Sequence, residues 1–181
     1  MSQCTVSFTD SLQDGVGGNS PVNRSRFANT SYDRLRILER YRRIAMVGLS
    51  SNPFRPSHFA AIYLIAEGYD VIPVNPRESE VLGRKCYPSL TAVPGPVEVV
   101  DIFREPAAVP PIVEEAIAIG AKVIWMQLGV IHEEAAERAR AAEIQVVMDR
   151  CMKIEHARFF GGLNTIGMNT SVITAKRRVR P

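Results

Sequence analysis

Cysteine is scarce in this chain, with only Cys4, Cys86 and Cys151. An odd number spread this widely gives no disulfide framework, and no pair stands at a metal-ligand spacing. The expectation is reduced thiols in a cytoplasmic protein, with no metal site. Long apolar runs are also missing. None approaches the ~18–20 residues that cross a bilayer. Residues 1–19 are polar and lack the apolar core of a secretory signal, so neither a membrane partner nor secretion is expected. Charge of one sign is not in large excess, since 22 Lys and Arg against 19 Asp and Glu leave +3. Arginines gather at Arg34, Arg36, Arg40, Arg42 and Arg43, and a basic run ends the chain at Lys176, Arg177, Arg178 and Arg180. A nucleic-acid binder carries more positive charge with aromatics among it. These clusters read instead as a solvated helix face and a charged tail, with no nucleic-acid partner.

Signature motifs are missing as well. There is no full G-x-G-x-x-G, no G-x-x-x-x-G-K-[ST], no H-E-x-x-H and no Ser/His/Asp order. What is present is an ordinary globular composition, 46% hydrophobic and 23% charged over 181 residues, enough for one domain with a real core. Residues 1–29 hold several glycines and little apolar periodicity, so they read as a mobile extension. Residues 30–170 form the folded domain, and 171–181 form a basic tail.

The most informative stretch is Ile44-Ala45-Met46-Val47-Gly48-Leu49-Ser50-Ser51-Asn52-Pro53-Phe54-Arg55-Pro56-Ser57. A short apolar run breaks at Gly48 and passes through small polar residues and prolines to Ser57, a good N-cap. That is a buried strand, a loop and a helix start. Helix N-termini after parallel strands attract anions. Gly48 allows close backbone approach, Ser50, Ser51 and Asn52 offer hydrogen bonds, and Arg55 brings a fixed positive charge.

The rest alternates strands and helices. A first helix runs from a Ser31 cap to about Arg42. After the loop, Phe59, Ile62, Tyr63 and Ile65-Ala66 recur at helical spacing and Gly68 closes the helix. Further strands are expected at 69–74, 97–103, 122–127 and 144–148, and helices from Glu105, over 132–142 and over 154–162. Ser89 to Ala92 reads as a helical turn. Five strands alternating with helices predict an α/β fold, a Rossmann-like doubly wound parallel sheet with helices on both faces. The expected strand order is 3-2-1-4-5, with the crevice beside strand 1. That order sets Gly48 to Arg55 against Gln127-Leu128-Gly129, with Asn75-Pro76-Arg77 and Phe103-Arg104 on the flank.

A typical NAD-binding domain carries an acid at the end of its second strand. Here Asn75-Pro76-Arg77 stands there. Asn75 can hydrogen-bond a ribose or adenine edge, and Arg77 suits an extra phosphate. The residues therefore point to an adenine nucleotide with an additional phosphate, either NADP or coenzyme A, and do not choose between them.

The loop motif, with Val71-Ile72-Pro73-Val74-Asn75-Pro76, Val99-Val100-Asp101-Ile102-Phe103-Arg104, Trp125-Met126-Gln127-Leu128-Gly129 and Val147-Met148-Asp149-Arg150-Cys151, resembles the small stand-alone bacterial CoA-binding proteins. These are relatives of the CoA-binding domain of the succinyl-CoA synthetase alpha subunit. The resemblance covers about residues 32–170, including Phe159-Phe160-Gly161-Gly162-Leu163-Asn164. It implies a Rossmann-type fold holding coenzyme A. Gly48, Ser50, Ser51 and Arg55 would hold the diphosphate region, and Leu49 and Ser57 belong to the same binding set. Asn75 and Arg77 would meet the ribose-phosphate end, with Pro76 between them in the binding set. Phe103 and Arg104 would border the adenine, with Gln127 and Gly129 on the crevice floor.

The synthetase works through a phosphorylated histidine and a nucleotide-binding partner in other domains. Here His58, His132 and His156 read as capping or surface residues. Cys151 is the one residue with possible chemistry, since Arg150 and Lys153 could favour a thiolate there, but a buried structural cysteine is the preferred reading. A non-catalytic CoA-binding or regulatory module is therefore expected. The alternatives are an NADP-dependent oxidoreductase, an acyl-CoA-processing subunit awaiting a partner, and an interaction protein without ligand. The oligomeric state is not legible.

Overall fold

In a computed structural model the described residues are 30–161. The N-terminal extension, the basic tail and the Gly162-Leu163-Asn164 part of the resemblance lie outside them. Twelve elements follow one another: α1 (Ser31–Arg40), β1 (Arg43–Val47), α2 (Pro56–Ala66), β2 (Asp70–Val74), β3 (Glu80–Val81), β4 (Arg84–Lys85), β5 (Val99–Ile102), α3 (Val109–Ala118), β6 (Val123–Met126), α4 (Glu133–Ala141), β7 (Gln145–Val147) and α5 (Met152–Phe160). Short 3-10 turns lie at Leu90–Ala92 and Pro106–Ala108, the latter leading into α3.

β2, β1, β5, β6 and β7 form one parallel sheet in that order. The side chains alternate between two apolar layers, as the pleat requires. Ile44, Met46, Val99, Val123 and Trp125 join the layer under α1, α2 and α5. Ala45, Val100, Ile102, Ile124 and Met126 join the layer under α3 and α4. Helices on both faces of a five-stranded parallel sheet are the expected architecture.

The expected strand order does not hold. Numbering only the five long strands, the sheet runs 2-1-3-4-5, not 3-2-1-4-5. The cause lies in residues 75–98. A neighbouring parallel strand is normally reached through a packed helix. This connection carries only the β3–β4 hairpin and a 3-10 turn, and it returns past β1 so that β5 lands on β1's other side. Tyr87 covers the free edge of β2, donating its N–H to Pro73 O at 3.0 Å and accepting from Asn75 N at 2.8 Å. Right-handed crossovers then set α2 on one face and α3 and α4 on the other.

Local corrections have local causes. Thr30, not Ser31, caps α1, in a capping box with Asp33. Ser57 is not an N-cap. Arg55 is the cap and Pro56 the first helical residue, the place where a missing N–H costs nothing. The apolar face of α2 is also different from the one expected. Ala60, Ala61 and Leu64 are buried, while Phe59 and Ile62 are 54% and 47% exposed. Small residues let α2 sit close to the sheet, and its large ones turn outward.

Candidate functional site

Parallel strands end together, so the loops after β2, β1, β5, β6 and β7 meet along one edge. Over that edge lies an open crevice of about 1040 Å³. The order reverses between β1 and β5, the place where such sheets hold ligands. The loop after β1 therefore meets the loop after β5, and Gln127 and Leu128 lie one strand further away. Gly48 has φ +85, and a Cβ there would come within 2.7 Å of Phe103 O. Its N–H donates to Val74 O at 2.8 Å.

Among the residues expected at the site, Gly48, Ser50, Arg55 and Ser57 line the crevice from the first loop and α2. Asn75 and Arg77 line it from β2, Phe103 and Arg104 from β5, and Gln127 from β6. Leu49, Ser51, Pro76 and Gly129 do not line it. Leu49 is buried in the core. Its carbonyl accepts from Asn75 Nδ2 at 2.9 Å, and Asn75 Oδ1 accepts from Arg77 N at 3.1 Å. Asn75 thus staples the second loop to the first. Gly129 N donates to Asp149 Oδ1 at 2.8 Å.

The first loop is held by its own bonds. Ser50 N donates to Ser57 Oγ at 3.3 Å, Asn52 N to Ser50 Oγ at 3.2 Å and Phe54 N to Asn52 Oδ1 at 2.9 Å. Ser51 N donates to Glu78 Oε1 at 2.9 Å. That backbone bond, with others from Ser50 and Ser51, holds the Glu78 carboxyl below its usual range. Glu78 occupies the loop as an anionic oxygen of a ligand would, and sequence reasoning gave it no role. Phe54, 88% exposed, and Phe59 supply an apolar rim. Four cations, Arg55, Arg77, Arg104 and Lys153, face two carboxylates, Glu78 and Glu105.

The three histidines are engaged elsewhere. His58 Nδ1 donates to Ser50 O at 2.9 Å, and His132 caps α4 by accepting from Ala135 N at 3.3 Å. His156 is not a surface residue. It is buried against Tyr63, Tyr69 and Phe160, and burial holds its pKa below the ordinary value.

Cys151 lines the crevice at the start of α5. The thiolate alternative is not favoured. Burial pushes the thiol up, the Asp101 carboxyl adds to that, and Lys153 offsets only part. Arg150 Nη1 turns back to the Asp149 carbonyl at 2.8 Å. Beneath the floor, Asp101 is fully buried on the same sheet face as Trp125, and its Oδ1 accepts from Gln127 Nε2 at 2.7 Å. Burial pushes its carboxyl up to about 7, and the Gln127 bond offsets only part. Among the described residues no three or more His, Cys, Asp and Glu side chains group to hold a metal. No helix among them is long and apolar enough to cross a membrane.

A family model described as CoA binding domain matches residues 42–157. An uncharacterised protein of Bacillus subtilis, YneT, is 41% identical over 121 residues, covering 67% of this chain and 90% of that protein. A solved structure of a hypothetical protein from Pyrococcus horikoshii is 47% identical with a TM-score of 0.70, covering 71% of this chain and 91% of its own. The dinucleotide-forming acetyl-coenzyme A synthetase 1 of Ca. Korarchaeum cryptofilum is 26% identical with a TM-score of 0.57, covering 64% of this chain but only 28% of that enzyme.

Proposed function

This chain belongs to the CoA-binding domain family, and from that membership we propose that its crevice binds coenzyme A or an acyl-CoA thioester without transforming it. The observation that carries the reading is the cation set. Arg55, Arg77, Arg104 and Lys153 come from four separate segments and line one crevice at the first turn of α2. A ligand with a diphosphate and a further phosphate matches several separated cations, and arginine meets phosphate oxygens through paired donors. Arg55, Ser50 and Ser57 meet the diphosphate, Arg77 the ribose phosphate, and Phe103 and Arg104 the adenine. The likeness to the acetyl-coenzyme A synthetase covers only 28% of that enzyme, so it supports a shared fold and not the enzyme's reaction. All three histidines are committed to structural bonds or burial, which supports a non-catalytic role.

Mass spectrometry of a denatured extract of the purified protein identifies what it carries, and titration calorimetry follows with coenzyme A and NADP. Coenzyme A is expected in the extract, with tighter binding than NADP. Binding of NADP with none of coenzyme A overturns the reading.

A further inference from the structure

Asp101 interrupts an otherwise apolar strand, β5, every residue of which is buried. It pairs in register with Trp125 of β6, so Gln127, two residues further along, projects from the same face of the sheet. Asp101 Oδ1 accepts from Gln127 Nε2 at 2.7 Å, and Oδ2 has no hydrogen-bond partner among the described residues. A fully buried carboxyl with one oxygen unpaired is costly. An apolar residue, as at Val99, Val100 and Ile102, would pack there without that cost, so the carboxyl has a role other than filling the core.

The bond to Gln127 supplies that role. An ionised carboxylate only accepts, so it takes the Gln127 NH2 and turns the other end of the amide away. Gln127 lines the crevice. Its Oε1 accepts no hydrogen bond among the described residues, yet it is not one of their buried unpartnered atoms, so it reaches the crevice surface. The floor after β6 therefore offers an acceptor, whereas the side chains of Arg55, Arg77 and Arg104 offer only donors.

We infer that Asp101 is a positioning residue that locks the Gln127 amide with its oxygen toward the crevice, where that oxygen accepts a hydrogen bond from an amide N–H in the arm of a bound coenzyme A. The inference rests on the proposed CoA reading. With the phosphates at Arg55 and Arg77 and the adenine at Phe103 and Arg104, the part of the ligand left to meet Gln127 is the arm. Its amides carry N–H donors that match a fixed acceptor and do not match a cation. A free Gln127 amide could turn either end to the ligand. The Asp101 bond removes that choice before the ligand arrives, which lowers the ordering cost of binding.

The test uses the full chain at pH 8, above the value of about 7 to which burial raises the Asp101 carboxyl. Titration calorimetry compares coenzyme A with adenosine 3′,5′-bisphosphate, which has the adenine and ribose phosphate but no arm. Gln127→Met keeps the bulk and removes the acceptor. Asp101→Val removes the lock, and Asp101→Asn restores an oxygen for Gln127 Nε2. Gln127→Met and Asp101→Val should each lower the ratio of coenzyme A to bisphosphate affinity roughly three- to tenfold, the worth of one hydrogen bond. Asp101→Asn should recover most of that ratio. The double variant Gln127→Met/Asp101→Val should do no worse than Gln127→Met alone, because Asp101 acts through Gln127. Circular dichroism checks folding, and Gln127→Met and Asp101→Asn carry the test if Asp101→Val does not fold. If wild type binds coenzyme A but Gln127→Met leaves the ratio unchanged, or the two losses add in the double variant, the positioning role is wrong and the binding reading stands. If coenzyme A does not bind, both fall.

Discussion

Gly48→Ala is the substitution whose cost the structure defines most closely. Gly48 has φ +85, a region that side chains rarely adopt, and an alanine there costs about 1–2 kcal/mol for the backbone alone. The added Cβ would also stand 2.7 Å from Phe103 O and 2.9 Å from Arg104 Cδ. Arg104 can swing away, but the Phe103 carbonyl belongs to the backbone just after β5 and must be pushed. Overpacking of this kind costs roughly 1–3 kcal/mol, for a total of about 2–5 kcal/mol. Gly68 is the matched control, with the same φ of +85 and nothing within 4 Å of its Cβ position. Gly68→Ala should cost the backbone part only. At roughly 3–5 °C per kcal/mol for a domain of this size, Gly48→Ala should lower Tm by about 6–25 °C and Gly68→Ala by about 3–10 °C. Ligand-free melts followed by circular dichroism measure both. Equal losses would show that the β1 and β5 loops do not press on each other, and the close approach at Gly48 would then need another reason.

Glu78 accepts from Ser51 N in the loop proposed to hold the diphosphate, so its charge opposes a phosphate there. Glu78→Gln should tighten coenzyme A severalfold, as expected for an exposed charge, and calorimetry showing weaker binding would remove Glu78 as a competitor. Arg55→Ala should weaken coenzyme A by about one to two decades and reduce the salt dependence of binding; identical affinity and salt slope would take Arg55 out of the site. Glu155 accepts from Arg34 Nε at 2.7 Å where both are buried, so Glu155→Ala should destabilise by about 3–5 kcal/mol in urea unfolding, and a loss under 1 kcal/mol would contradict that pairing. Asp101 has its folded pKa raised from 3.8 to about 7. The folded state then holds the extra proton, so Asp101 lowers stability as pH rises through that window. Asp101→Asn should flatten that fall and melt higher than wild type at pH 8, and an unchanged pH profile would show that Asp101 is not the group responsible.

Much of the site was legible because its chemistry is local. A run such as Ile44 to Val47 breaking at Gly48 fixes a strand end by composition. The two prolines and Arg55 fix the helix start to within two residues, although Pro56 rather than Ser57 decides where it begins. Features set by distant residues were not legible. Nothing in the periodicity of Phe59 and Ile62 says that Ala60, Ala61 and Leu64 win the sheet side. That outcome depends on how closely α2 must approach β1. Burial of His156 depends likewise on Tyr63 and Tyr69, about ninety residues earlier in the chain. The Cys151 environment depends on Asp101, whose place in an apolar strand pattern gave only a hint of its burial.

The strand order shows why one error left the site nearly intact. In either order, all five parallel strands end at the same edge of the sheet, so every loop expected there still arrives there. What changes is adjacency. With β5 rather than β2 or β6 as the inner neighbour at the reversal, Phe103 and Arg104 move from the flank to direct contact with Gly48. Arg77 and Cys151 come to the two ends. A long ligand is sensitive to this sequence of loops even when it is indifferent to the sheet's wiring. The loops that carry Arg77, Gly48, Phe103, Gln127 and Cys151 follow one another in that spatial order, with cations along it at Arg77, Arg55, Arg104 and Lys153. Cations spread from one end to the other suit a ligand with several separated phosphates, a demand that coenzyme A and NADP both meet, so titration with the two ligands, and not the order of loops, decides between them.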